Sequence, residues 1–177
     1  MKTALTVVLS ILVLSGCGGS IARPGTSVTL TPGPITIQNT VPYSPGNAIA
    51  NNIKNECVLD QQLADFIKES AAESGLELRG VDVIDTNGPG NILKLEITHA
   101  VSSGNAFIGH RKYTAIRGEL FDNGKLLASF TGARNSGGGA FAGFKGSCAV
   151  LGRTVKALGN DIATWLKQPS NNAHLGD

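Results

Sequence analysis

In residues 91–101, NILKLEITHAV, apolar and polar side chains alternate from Leu93 to Thr98. Leu93, Leu95, Ile97, His99 and Val101 fall on one face, with Lys94, Glu96 and Thr98 on the other, the period of two that a half-buried strand requires. A strand with one dry and one wet face belongs to an antiparallel sheet covered on a single side. Upstream, Leu76 and Leu78 alternate and Val81 and Val83 do so with opposite parity, which predicts a strand with a bulge at Arg79-Gly80. Asn87-Gly88-Pro89-Gly90 supplies the turn between these two strands. Downstream, Ser102 to Asn105 reads as a turn into a third strand that ends near Phe121, where Ile116 and Leu120 share a face. Asp122-Asn123-Gly124 is a hairpin signal and opens a fourth strand, with Leu126, Ala128 and Phe130 facing one way.

Helical periodicity brackets this sheet. Leu59, Leu63, Phe66, Ile67 and Ser70 recur at spacings of three and four, predicting a helix over 57–74 with Asn55 as N-cap and Gly75 as a left-handed stop. Cys148, Leu151, Val155, Leu158, Ile162 and Trp165 form the stripe of a second helix over 147–167, ended by Pro169. The expected fold is α+β, a four-stranded antiparallel meander flanked by two helices on one face, in the order αββββα. It forms a single domain over residues 56–168. Residues 169–177 are expected to be a disordered, frayed tail. Residues 17–55 hold most of the prolines and read as a tether or extended arm, with Val28, Leu30, Ile35 and Ile37 alternating about Pro32-Gly33-Pro34.

The first residues have another purpose. Lys2 is followed by an apolar run from Ala4 to Leu14, too short for the roughly 20 residues that cross a bilayer as a helix and suited to a secretory signal peptide over residues 1–16. The run ends in Leu14-Ser15-Gly16-Cys17, which resembles the lipobox of bacterial lipoproteins. The resemblance implies cleavage before Cys17 and acylation of its thiol, a palmitate-type membrane anchor. Gly18 in the next position implies, by the same resemblance, sorting to the outer membrane, with the domain in the periplasm.

Charge and composition exclude several classes. Fifteen basic residues face 13 acidic ones, so neither net charge nor a basic stripe suggests nucleic acid. Forty-one per cent hydrophobic residues support a core, and 23 glycines imply many turns. Beyond Cys17, an exported chain with two further cysteines, Cys57 and Cys148, is read most simply as holding one disulfide. Neither cysteine has the neighbouring ligands that a metal site needs. Both sit at helix N-termini, so a bridge requires the two helices to run roughly parallel. Four antiparallel strands would leave them antiparallel, and the glycine-rich stretch 135–147 is therefore expected to carry the chain back along the sheet.

That stretch is the candidate partner-binding loop. Gly138, Phe141, Phe144 and Lys145 combine backbone freedom with two aromatics, read either as an apolar finger for a partner or as a plug on the sheet. It departs from a phosphate-binding loop, because Phe144 separates Gly143 from Lys145 and Gly146 stands where Ser or Thr belongs. His99 is read as a satisfied histidine on the apolar register, and His110 as part of a charged run guarding a strand. No HExxH pattern, nucleophile elbow or catalytic constellation is visible, so no cofactor, metal or nucleotide is expected.

The order of lipobox, proline-rich segment, helix, meander and closing helix resembles small YajG-like envelope lipoproteins and, more loosely, LptE-like ones. The resemblance implies a non-catalytic role supporting assembly, transport or integrity of the outer membrane through a protein or glycolipid partner. The competing reading is a periplasmic hydrolase or small-ligand-binding lipoprotein, which a deep pocket with converging polar groups would favour.

Overall fold

In a computed structural model of the chain, the described residues are 27–105, 109–137 and 146–177. Strand β1 spans Ile35–Gln38, helix α1 Asn51–Glu56, helix α2 Leu59–Glu73 and strand β2 Leu78–Val81. Strands β3 (Asn91–Asn105), β4 (Gly109–Asp122) and β5 (Lys125–Gly137) follow, then helix α3 (Ser147–Leu166) and strand β6 (Ala173–Gly176). The α+β class holds, but the sheet is a six-stranded mixed one in the order β2-β1-β3-β4-β5-β6. Only β3, β4 and β5 form the expected antiparallel meander. Strand β1 runs parallel to both β2 and β3, and β6 runs parallel to β5.

The two added strands come from segments read as arm and tail. Ile35 and Ile37 are almost wholly buried, which places β1 inside the sheet rather than along its edge. Pro32 and Pro34 precede the ladder, so neither removes a donor from it. At the other end, Ala173–Gly176 pairs with Phe130 to Ala133 in place of a frayed tail. Beyond the strand, the backbone N–H of Asn135 donates to the Asp177 carboxylate at 2.9 Å and Arg134 does so at 2.8 Å. These bonds hold the Asp177 carboxyl below its ordinary range.

The predicted first helix is broken in two. Cys57 is the C-cap of α1 and Val58, with φ +42°, is the N-cap of α2. Asn55 lies within α1 and is not a cap. Helix α2 does stop at Gly75, which has φ +74°, and the Leu76 N–H donates to Ala71 O at 2.9 Å, the hydrogen bond of a Schellman stop. Strand β2 is regular, without the expected bulge. Gly80 serves close approach instead, because a Cβ there would run into the Asn39 side-chain amide.

Helices α2 and α3 cover one face of the sheet and share one core with it, including Leu63, Ile67, Leu95, Ile116, Leu158 and Ile162. Trp165 meets Phe130 edge to face at 4.7 Å. The buried hydroxyls of Thr114 and Thr154 pair at 2.7 Å across the β4–α3 contact. The helices are parallel, as the contacts Cys57–Cys148, Gln62–Gly152, Phe66–Gly159 and Ser70–Asn160 advance together along both. The reason differs from the expected return loop. Strands β1 and β5 point the same way, so the helices that follow them start at the same end of the sheet.

At Gly159 the helices touch backbone to backbone, since an added Cβ would lie 2.8 Å from Phe66 Cβ and 3.0 Å from its carbonyl carbon. Gly159→Leu is therefore expected to lower stability by about 1–3 kcal/mol in denaturant unfolding. Gly152→Ala should be milder, because its nearest neighbour is the movable Gln62 Oε1 at 2.9 Å.

Candidate functional site

The cysteine pair is bridged. Cys57 and Cys148 form a disulfide with Cα atoms 4.8 Å apart, joining the N-terminal ends of α2 and α3. Cys17 and the loop residues Gly138, Phe141, Phe144 and Lys145 lie outside the described residues. Among the described residues, no group of three His, Cys, Asp or Glu side chains converges to hold a metal. No helix there is long and apolar enough to cross a membrane.

The notable surface is the sheet face turned away from the helices. Its layout follows from a bulge at Thr98, where the register shifts between Ile97 and His99. Before the bulge Leu93, Leu95 and Ile97 face the core; after it Ala100 does. His99 is thereby exposed and Val101 is 44% exposed, contrary to the simple alternation that put both on the apolar side. A second register shift, between Leu120 and Phe121, turns Leu126 outward in the same way. Strand β3 also runs on through Ser102 to Asn105, lengthening the hairpin where a turn was expected.

Pairing registers arrange the open face in rows across the strands. Glu96, Arg117, Thr131 and His174 stand opposite one another on β3, β4, β5 and β6. Arg117 donates to Glu96 Oε2 from Nη2 at 2.6 Å and from Nε at 3.0 Å, and Thr131 Oγ1 lies 2.9 Å from His174 Nδ1. The next row begins with His99 on β3 and continues in small residues, Ala115, Ala133 and Gly176. Beyond it stand Val101, Tyr113 and Asn135. A row of small side chains between two rows of large ones leaves a trough of about 260 Å³, bounded by Tyr113, Arg117, Thr131 and His174 and closed by Thr98 and Asp177. A hollow of about 350 Å³ adjoins it past Tyr113. Another, of about 200 Å³, adjoins it past Arg117 and His174. All three are shallow and open to solvent.

A fourth crevice, of about 380 Å³, lies between the helices over the disulfide, bordered by Val58, Phe66, Arg153 and Lys156. Lys156 Nζ stands 5.5 Å above the Phe66 ring. Away from the open face, the Tyr43 phenol is pushed up to about 12 by burial and by the Asp60 carboxylate. Its hydroxyl is buried without a hydrogen-bond partner. Because the folded state favours the neutral phenol, this contribution to stability is full below the ordinary value of 10.0 and is lost as pH rises towards 12. Tyr43→Phe should thus leave neutral-pH stability unchanged or raise it by up to about 1 kcal/mol. It should also flatten the alkaline fall in melting temperature.

A solved structure shares this architecture. A Xanthomonas campestris protein of the DUF330 family superposes with a TM-score of 0.53 at 11% identity, over 81% of this chain and 91% of that one. A PelC dodecamer subunit from Paraburkholderia phytofirmans aligns at 0.49 and 12% identity, over 78% and 95% of the two chains. A minor lipoprotein from Acinetobacter baumannii aligns at 0.44 and 11%, over 77% and 95%. The likeness to the Xanthomonas protein is one of fold. No protein-family model and no curated protein sequence matches the chain.

Proposed function

We propose that this chain is a non-catalytic bacterial envelope lipoprotein, anchored through Cys17 in the outer membrane, that holds an envelope partner on its open sheet face. The lipobox Leu14-Ser15-Gly16-Cys17 carries the reading. The Cys57–Cys148 disulfide supports it from an independent direction, since such bonds persist in oxidising compartments. Acylation at Cys17 gives membrane affinity of about 0.8 kcal/mol per buried methylene, so several chains hold where one does not. The described chain begins beside the end of α3, where Ser27 bridges Ser170. Ten residues from Cys17 span at most roughly 35 Å, which keeps this end of the domain within that distance of the bilayer.

Binding rather than turnover is supported by the form of the open face. Its hollows are shallow, and Arg117 and Glu96 are spent on each other. Supporting assembly, transport or integrity of the outer membrane is the role such a surface suits. Photo-crosslinking side chains placed at Thr131 and, as a control, at Lys156 test this in intact cells. Discrete crosslinked species are expected from Thr131 and none from Lys156. The reverse pattern contradicts the open-face reading.

A further inference from the structure

We infer that the open-face groove is a binding site for a short stretch of largely uncharged glycan. The inference rests on the open-face reading above and names the chemistry of its ligand. Three observations point there. The hollows of about 350, 260 and 200 Å³ lie end to end along the strands, sharing Tyr113 at one junction and Arg117, Thr131 and His174 at the other. Each is near or below the lower end of small-molecule sites, roughly 300 Å³. A succession of small compartments fits a chain of similar small units.

The lining matches a sugar ring in both its characters. Ala115 and Ala133 give an apolar floor to the trough and Tyr113 an aromatic wall, surfaces for the C–H face of a pyranose. Hydroxyl, guanidinium, imidazole and carboxylate groups at the rim (Thr98, Thr131, Arg117, His174, Asp177) can exchange hydrogen bonds with its hydroxyls. Charge decides against ionic ligands. The rim charges are matched by opposite ones: Arg117 pairs with Glu96 at 2.6 Å and Lys94 with Glu119 at 3.8 Å, while Arg134 is shared between Asp177 and Asp161, each at 2.8 Å. An anion or cation must compete with one of these pairs, whereas a polyhydroxyl ligand can bond both members and leave it intact.

Two other ligand classes fit less well. An extended peptide would seek backbone partners, and beside the trough those of β4, and of β5 from Phe130 to Ala133, are committed to ladders on both sides. An acyl chain would need a deeper, more enclosed apolar channel than these open hollows provide.

Calorimetric titration of the full mature protein, held in zwitterionic micelles without sugar headgroups, tests the inference. The probes are chitotriose, maltotriose and the charged trisaccharide trigalacturonate. At least one of the two neutral probes is expected to bind with a dissociation constant of about a millimolar or tighter, and trigalacturonate at least several-fold more weakly. Ala115→Leu, which fills the floor, and Tyr113→Leu, which removes the ring, should each weaken binding roughly five-fold at unchanged melting temperature. If either variant unfolds early, Arg117→Met is read in its place. Absence of binding by both neutral probes overturns the inference. So do equal binding of trigalacturonate and indifference to these substitutions. Crosslinks from Thr131 that survive such a result would keep the open face as a protein-docking surface, so the two readings fail separately.

Discussion

Joint replacement of Cys57 and Cys148 by alanine is expected to lower the free energy of unfolding by roughly 2–5 kcal/mol. The bridge spans 91 residues of sequence, and the chain-entropy relation for a loop of that size gives about 4–5 kcal/mol as an upper figure. The closed loop contains α2, the meander and the whole connection to α3. Without it the unfolded chain regains most of its freedom at once. Domains of this kind hold only about 5–15 kcal/mol in all, so the change takes a large share of the total. Thermal unfolding with and without reductant checks it: the native chain should lose several degrees in reductant and the double variant none. An equal melting temperature for both proteins would show the bridge to be energetically idle.

Trp165→Ala is expected to be comparably severe, about 3–5 kcal/mol by denaturant unfolding. Trp165 is 6% exposed and packs edge to face on Phe130, while its Nε1 donates to Ser170 O at 3.2 Å. It ties the end of α3 both to β5 and to the chain that leads into β6. The substitution removes ring volume that close neighbours cannot fill and frees the segment carrying Ser170. Hydrogen exchange should therefore show early loss of protection in β6, before the centre of the sheet. Trp165→Phe keeps most of the volume but not the hydrogen bond, and should fall between the two.

The long elements were legible because their patterns are long. Fifteen residues of α2 and twenty of α3 display their stripes openly, and Asn123 and Gly124, with φ +48° and +81°, make the tight turn that Asp122-Asn123-Gly124 announces. The disulfide could be read from compartment and cysteine number. What escaped was short or depended on partners. Strand β1 has four residues behind two prolines, and β6 is Ala173-His174-Leu175-Gly176; neither is long enough to show a period. Without β1 between them, β2 was counted as antiparallel to β3, and the parallel helices seemed to need a return loop.

The site was less legible than the fold. Lys94, Glu96 and Thr98 were visible as a polar face, but the bulge at Thr98 that turns His99 and Val101 outward has no local signature. Nothing in the sequence states that Ala115 will stand beside Ala133, or Arg117 beside Thr131 and His174. These neighbours are set by register across four strands, a property of the assembled sheet. The break at Cys57-Val58 is of the same kind, because a β-branched residue at positive φ is held there by its surroundings and not by its own preference.

Attachment to a membrane at Cys17 is the premise of the proposed role. Mass spectrometry of the amino-terminal peptide of the mature protein, purified from its own membranes, tests that directly. A chain that begins at Cys17 and carries a thioether-linked diacylglyceryl group is the result this account predicts. A chain that begins elsewhere, or a Cys17 bearing no lipid, would contradict it.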